Sequence, residues 1–189
     1  KEIFNIAYKT VLDIQGVGSG FDIAASIYGG VLYFLGGGKI IDHINVKSLP
    51  LVVGFSGIKA DTAILVKELK EKAKIYPSIY KPLFDVSSTL VENGRKALVK
   101  GDFEMFGQLM NVNEGLLASY GVEISKLADM IYAARGAGAY GAKLSGAGGG
   151  DCMIAIIPEE KREEIETAIE KVGGEILKVQ ANAEGVRVE

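Results

Sequence analysis

Between positions 141 and 152 the chain reads Gly-Ala-Lys-Leu-Ser-Gly-Ala-Gly-Gly-Gly-Asp-Cys and then continues through the apolar run 152–157. Glycines this closely spaced lose much backbone entropy on ordering, so a folded domain keeps them where positive φ or close backbone approach is needed. The segment therefore reads as a loop feeding a buried strand. Successive N–H groups in such a loop can form an anion-binding concavity, with Lys143 adding a charge, and phosphate is the natural guest. A tight turn or bulge at the mouth of a strand is the alternative, and composition does not separate the two.

A second glycine cluster, Gly16-Val17-Gly18-Ser19-Gly20, precedes Phe21-Asp22-Ile23-Ala24-Ala25-Ser26-Ile27-Tyr28 and then Gly29-Gly30. Phe21, Ala24, Ala25 and Tyr28 fall on one face of a short helix closed by Gly29. Ser19 or Asp22 then sits at its N-terminus, where capping is the plain role of a carboxylate and proximity to a substrate is the catalytic one.

These residues carry a resemblance. The segment 141–152 is similar to the nucleotide-side motif of the GHMP kinases, and Gly18-Ser19-Gly20-Phe21-Asp22 resembles the segment that holds the active-site aspartate in their mevalonate and phosphomevalonate branch. Met110-Asn111, Leu116-Leu117, Gly121-Val122 and Leu127 resemble the mevalonate-kinase branch in the same order along the chain. No match is found to the glycine-serine phosphate loop with which the ATP half of such kinases opens. The chain is accordingly expected to be a C-terminal portion, or one half of a split enzyme.

The resemblance implies an α+β fold in two parts: residues 1–49 as the end of the N-terminal domain and 50–189 as a ferredoxin-like C-terminal domain, both glycine loops facing one cleft. It implies transfer of the γ-phosphoryl group of ATP, with Mg2+, to a small acceptor of the isoprenoid pathway. Asp22 would be catalytic. Ser19, Gly20, Lys59, Thr62 and Ser145 would line the acceptor site, and Lys143, Gly146, Ala147, Gly148, Gly149 and Gly150 the nucleotide site. No residue is assigned to metal. The pattern around Asp22 and Gly150-Asp151 favours phosphomevalonate, which is the acceptor expected, while residues 110–127 favour mevalonate, the alternative. A non-catalytic module awaiting a companion polypeptide is the reading from another class.

Composition is compatible with all of these. The 189 residues are 48% hydrophobic, enough for a core, and the net charge of −3 argues against general nucleic-acid or anionic-membrane binding. The expected partners are a small-molecule substrate, a companion N-terminal polypeptide and a second copy in a homodimer, with neither nucleic acid nor membrane. Cys152 is the single cysteine, so an internal disulfide is excluded and a cytoplasmic, reducing setting is expected, with a buried thiol.

Rival motifs do not hold. Gly136-Ala137-Gly138-Ala139-Tyr140-Gly141 has the dinucleotide-binding spacing but follows a helical pattern, whereas that motif follows a strand. His43 is the only histidine, which leaves histidine-based catalysis or metal binding poorly supported. Lys59 follows a strand and precedes a helix, a place for an anionic substrate or for an ordinary surface lysine, with Asp61 or Thr62 as the cap. Asn113 is equally readable as a polar residue on a helix.

For the rest, segments 31–35, 39–46 and 51–55 read as an antiparallel meander. Helices follow over 61–73, 83–99, 102–120 and 125–134, with Pro77 and Pro82 marking the break after the first. A strand at 152–157, a helix opened by Pro158, a strand at 175–179 and a short tail complete the chain.

Overall fold

The computed structural model describes residues 1–46 and 48–187. The backbone forms two compact units, Lys1–Leu49 with Gln180–Glu189, and Pro50–Val179. Among the described residues no helix is long and apolar enough to cross a membrane.

In the first unit, helix α1 (Glu2–Gln15) ends at Gly16, and α2 (Phe21–Tyr28) leads into the hairpin β1 (Val31–Leu35) and β2 (Ile40–Ile44). The strands pair antiparallel from Val31 opposite Ile44 to Leu35 opposite Ile40. Phe4 is fully buried, stacked on Tyr8 with ring centroids 5.6 Å apart and edge-on to Phe34 at 6.2 Å. The C-terminal stretch returns to this unit through a bridge between Gly29 and Glu184.

The second unit opens with β3 (Leu51–Phe55), passes through four helices, α3 (Thr62–Ile75), α4 (Pro77–Lys100), α5 (Phe103–Tyr120) and α6 (Ser125–Gly136), and closes with β4 (Gly141–Leu144), β5 (Cys152–Ile156), α7 (Arg162–Lys171) and β6 (Glu175–Leu177). The sheet order is β4-β5-β3-β6, and each neighbouring pair is antiparallel. With the four helices counted as one connection, this is the β-α-β-β-α-β arrangement of a ferredoxin-like domain. One face of the sheet is sealed by α6 and α7: Leu127, Met130, Ile131, Ala134, Ile165 and Ile169 are fully buried with Ala142, Leu144, Met153 and Ala155.

Local chemistry sets the ends of these helices. The Asp61 carboxylate accepts the Ile64 N–H at 3.1 Å, which makes it the cap of α3. Asp102 does the same for Met105 at 3.0 Å, and α5 stops at Gly121 with φ 77°.

Four expectations change. β3 does not extend the β1–β2 hairpin into a meander; it is a central strand of the other sheet, between β5 and β6. Strand-forming composition marks a strand without naming its partner, and the partner here lies about a hundred residues away in the register Leu51 opposite Ile156. Pro82 does not end a helix either: α4 begins with Pro77 in its first turn and carries Pro82 inside, at the loss of one ladder hydrogen bond. Pro158 stays extended and is followed by a short 3₁₀ turn at Glu159–Lys161 before α7. Cys152 is half-buried, because it lies at the end of β5 on the face opposite Met153.

Candidate functional site

The glycine-rich segment is a loop between β4 and β5, and its position follows from three contacts. At its mouth the Ser145 N–H donates to the Cys152 carbonyl at 2.8 Å. At its middle the Gly149 N–H donates to the Val122 carbonyl at 2.7 Å, on the turn between α5 and α6. At its end the Asp151 N–H donates to the Ile58 carbonyl at 2.7 Å, and the Asp151 carbonyl accepts the Ser56 N–H at 2.8 Å. The loop is thus held between residues 56–58 and the turn at Val122.

Both supports lie too close for side chains. A Cβ on Gly148 would stand 2.3 Å from the Val122 carbonyl oxygen, and one on Gly150 would stand 2.6 Å from that of Ile58. Gly148 also has φ +84°, in the left-handed region. Among the described residues the N–H groups of Gly146, Ala147 and Gly150 have no backbone acceptor. Unpaired amides at a sharply turned glycine loop are the donor set that a phosphate requires.

β4, which delivers the chain into this loop, is an edge strand with an unusual neighbour. Helix α5 packs so close that a Cβ on Gly141 would fall 1.8 Å from the Gly107 carbonyl oxygen. Along this seam Asn111 donates to the Tyr140 carbonyl at 3.2 Å and accepts the Ala142 N–H at 3.0 Å. Glu114, only 3% exposed, accepts the Leu144 N–H at 2.7 Å through Oε2. Arg135 donates to the Ala142 carbonyl at 2.6 Å, and the Lys143 ammonium donates to the Leu144 carbonyl.

Burial pushes the Glu114 carboxyl above the ordinary carboxylate range; the Leu144 N–H and Lys143 oppose the shift and Glu123 adds to it. Its Oε1 is buried without a hydrogen-bond partner among the described residues. Desolvation likewise lowers Lys143, against the pull of Glu114. Cys152 is raised by burial and then by Asp151, which makes its thiolate scarce.

The residues singled out above divide between the units. Lys143, Ser145, Gly146, Ala147, Gly148, Gly149 and Gly150 lie on β4 and its loop, Lys143 on the strand itself. Lys59 is exposed in the segment whose Ile58 carbonyl holds Asp151, and Thr62, also exposed, opens α3. Ser19, Gly20 and Asp22 belong to the first unit. There Gly20, at φ 83°, is the N-cap of α2 and no side chain caps the helix; Asp22 is exposed in its first turn. Phe21 is 51% exposed, so the apolar face of α2 is narrower than its sequence implies.

Asn111, Glu114 and Val122 carry the architecture around the loop without having been given a role at the site from sequence. A signal was present: Gly107, Met110, Asn111 and Glu114 follow the i, i+3, i+4, i+7 spacing of one helix face, and a glutamate on such a face needs a partner.

Residues 95–175 match the family of GHMP kinases C terminal domains, a segment that contains α5, α6, β4, the glycine loop and β5. The chain belongs to the GHMP kinase superfamily, and the fold is that of its C-terminal domain. Along its whole length it is 38% identical to the mevalonate kinase of Thermococcus sibiricus, of which it covers 57%. It superposes on the L. major mevalonate kinase solved with R-mevalonate with a TM-score of 0.81 and 32% identity, covering 89% of this chain and 54% of that one. The Streptococcus pneumoniae phosphomevalonate kinase solved with phosphomevalonate and AMPPNP shares the fold at a TM-score of 0.65 and 23% identity, over 74% of this chain and 41% of that one. The chain therefore spans a little over half the length of the curated relatives it matches.

Proposed function

We propose that the chain is part of a mevalonate kinase, acting in the transfer of the γ-phosphoryl group of ATP to the mevalonate hydroxyl. The observation that carries the kinase reading is the glycine loop, with the Gly146, Ala147 and Gly150 amides free of backbone acceptors between two backbone supports. Phosphoryl transfer rests on positioning and charge neutralisation, which fixed amide donors supply without reorganisation.

The choice of acceptor rests on the relatives. The 38% identity to a mevalonate kinase outweighs the 23% likeness to a phosphomevalonate kinase, and it displaces the preference for phosphomevalonate drawn from the short motifs. Bound ATP supplies the transferable phosphoryl group. Gly146, Ala147, Gly148, Gly149 and Gly150 would hold its phosphates, with Lys143 and Ser145 preceding them on β4 and at its end. Asp22 would accept or orient the proton of the acceptor hydroxyl, and Ser19, Gly20, Lys59 and Thr62 would line the acceptor.

Among the described residues no group of three or more His, Cys, Asp or Glu side chains forms a metal cage. Magnesium is accordingly assigned to the nucleotide phosphates, as is usual for this ion, and no step is derived through it. The companion polypeptide, a homodimer and a cytoplasmic location are parts of the same proposal.

The test measures ADP formation by this chain alone and together with a polypeptide supplying the part of the relatives that it does not span, with mevalonate or phosphomevalonate as acceptor. Turnover on mevalonate is expected. Turnover on phosphomevalonate only would reverse the choice of acceptor, and nucleotide binding without turnover on either would favour a non-catalytic module. In the active enzyme Asp22→Ala is expected to lower kcat by about 10²–10⁴-fold while ATP affinity stays within about two-fold. An unchanged kcat removes Asp22 from the chemistry.

A further inference from the structure

In an antiparallel edge strand, alternate residues turn their N–H and C=O groups away from the sheet, and those groups need partners or water. In β4 the outward set comprises the Tyr140 carbonyl, both groups of Ala142 and both groups of Leu144. Each has a side-chain partner: Asn111 takes the first and the Ala142 N–H, Arg135 the Ala142 carbonyl, Glu114 the Leu144 N–H and Lys143 the Leu144 carbonyl. Residues 141, 143 and 145 point the other way, toward β5, as the 2.8 Å bond from Ser145 N–H to the Cys152 carbonyl shows. Helix α5 thus does the work of a fifth strand with two side chains spaced i, i+3.

We propose that Asn111 and Glu114 are positioning residues for the glycine-rich loop: by occupying the outward edge of β4 they set the register in which the strand ends and so the place where the loop amides stand. This rests on the reading of that loop as a phosphate site.

Two observations support the assignment. A slip of β4 by one residue would exchange the faces of Lys143 and the fully buried Leu144, and would bring N–H groups of other residues to the Asn111 and Glu114 acceptors in place of those of Ala142 and Leu144. Glu114 also reaches β4 from the helix whose C-terminal turn supplies the Val122 carbonyl to Gly149, so one helix holds both the entry and the middle of the loop. Burying the Glu114 carboxyl to 3% exposure is costly, and the Leu144 N–H is the backbone hydrogen bond set against that cost.

The experiment is amide hydrogen exchange on this chain and its Glu114→Ala, Glu114→Gln and Asn111→Ala variants, without nucleotide, read at Leu144, Gly149 and Asp151 and at Val53 and Ala155 in the sheet. Glu114→Ala is expected to accelerate exchange about ten-fold or more at Leu144 and several-fold at Gly149 and Asp151, with Val53 and Ala155 little changed. Glu114→Gln keeps an acceptor for Leu144 and should stay within about two-fold of the wild type. Asn111→Ala should loosen the loop in the same sense. Loop amides unchanged in both alanine variants, or an equal loss across β3 and β5, overturns the proposal, as does a glutamine variant no better than alanine. If Glu114→Ala fails to fold, an unaffected loop in Asn111→Ala has the same force. ATP titration of the wild-type chain, combined with the companion polypeptide, separates the two readings: no ATP binding defeats the phosphate site and leaves the exchange result standing.

Discussion

Replacing Gly148 by alanine, with Gly146→Ala as its control, isolates the energetic demand of the loop. Both glycines have positive φ, +84° and +79°, so either substitution incurs the left-handed penalty of an L side chain, about 1–2 kcal/mol. The surroundings differ. Nothing lies within 4 Å of a Cβ at 146, whereas one at 148 would stand 2.3 Å from the Val122 carbonyl oxygen and 2.8 Å from the Val122 Cβ. Reaching the 3.0 Å that real Cβ atoms respect requires a retreat of about 0.7 Å, and that movement pulls the Gly149 N–H from the same carbonyl, now 2.7 Å away. The lost hydrogen bond is worth about 1 kcal/mol and the overpacking about 1–3 kcal/mol, so Gly148→Ala should cost roughly 2–4 kcal/mol more than Gly146→Ala. Urea unfolding followed by circular dichroism reads this difference when the loop and core unfold together. Exchange at Gly149 and Asp151 reads it when the loop opens first. Equal costs within about 0.5 kcal/mol, in both measurements, would refute the account of how the loop is seated.

Asp102→Ala removes the acceptor of the Met105 N–H at the start of α5 and should lower stability by about 0.5–2 kcal/mol, with Asp102→Asn nearly neutral; equal effects in thermal unfolding would show that the cap contributes little. Because burial raises the Glu114 carboxyl, the folded chain keeps a proton that the unfolded chain releases above the ordinary carboxylate value. This contribution to stability is present at low pH and falls as pH rises through the raised value, with Glu123 and Lys143 as the charges facing it. Glu114→Gln should therefore gain stability relative to wild type as pH rises above the ordinary glutamate value of about 4.3. Parallel denaturation profiles for the two proteins contradict the shift. Lys143, moved downward, has the opposite slope and is present in both.

How much was legible in the sequence depended on what each residue reports. The inner face of α6, Leu127, Met130, Ile131 and Ala134, was readable because helical spacing and burial coincide, and all four are fully buried. Asp102 and Gly121 bounded α5 because caps are local chemistry. The partner of β3 was not readable, since pairing at a separation of about a hundred residues leaves no local trace. The glycine loop was legible as a loop, yet its supports were not: Val122 and Ile58 act through backbone carbonyls, which no side chain advertises. Gly107 and Gly141 belong to the same class, each explained by a backbone across the seam.

The closed rim of β4 has a consequence for association. A visiting strand needs a row of unsatisfied donors and acceptors to dock upon, and on this side side chains already occupy that row. The opposite rim, β6, offers only three residues, Glu175–Leu177. Polymerisation by sheet extension is thereby denied a template at one end and given a stub at the other.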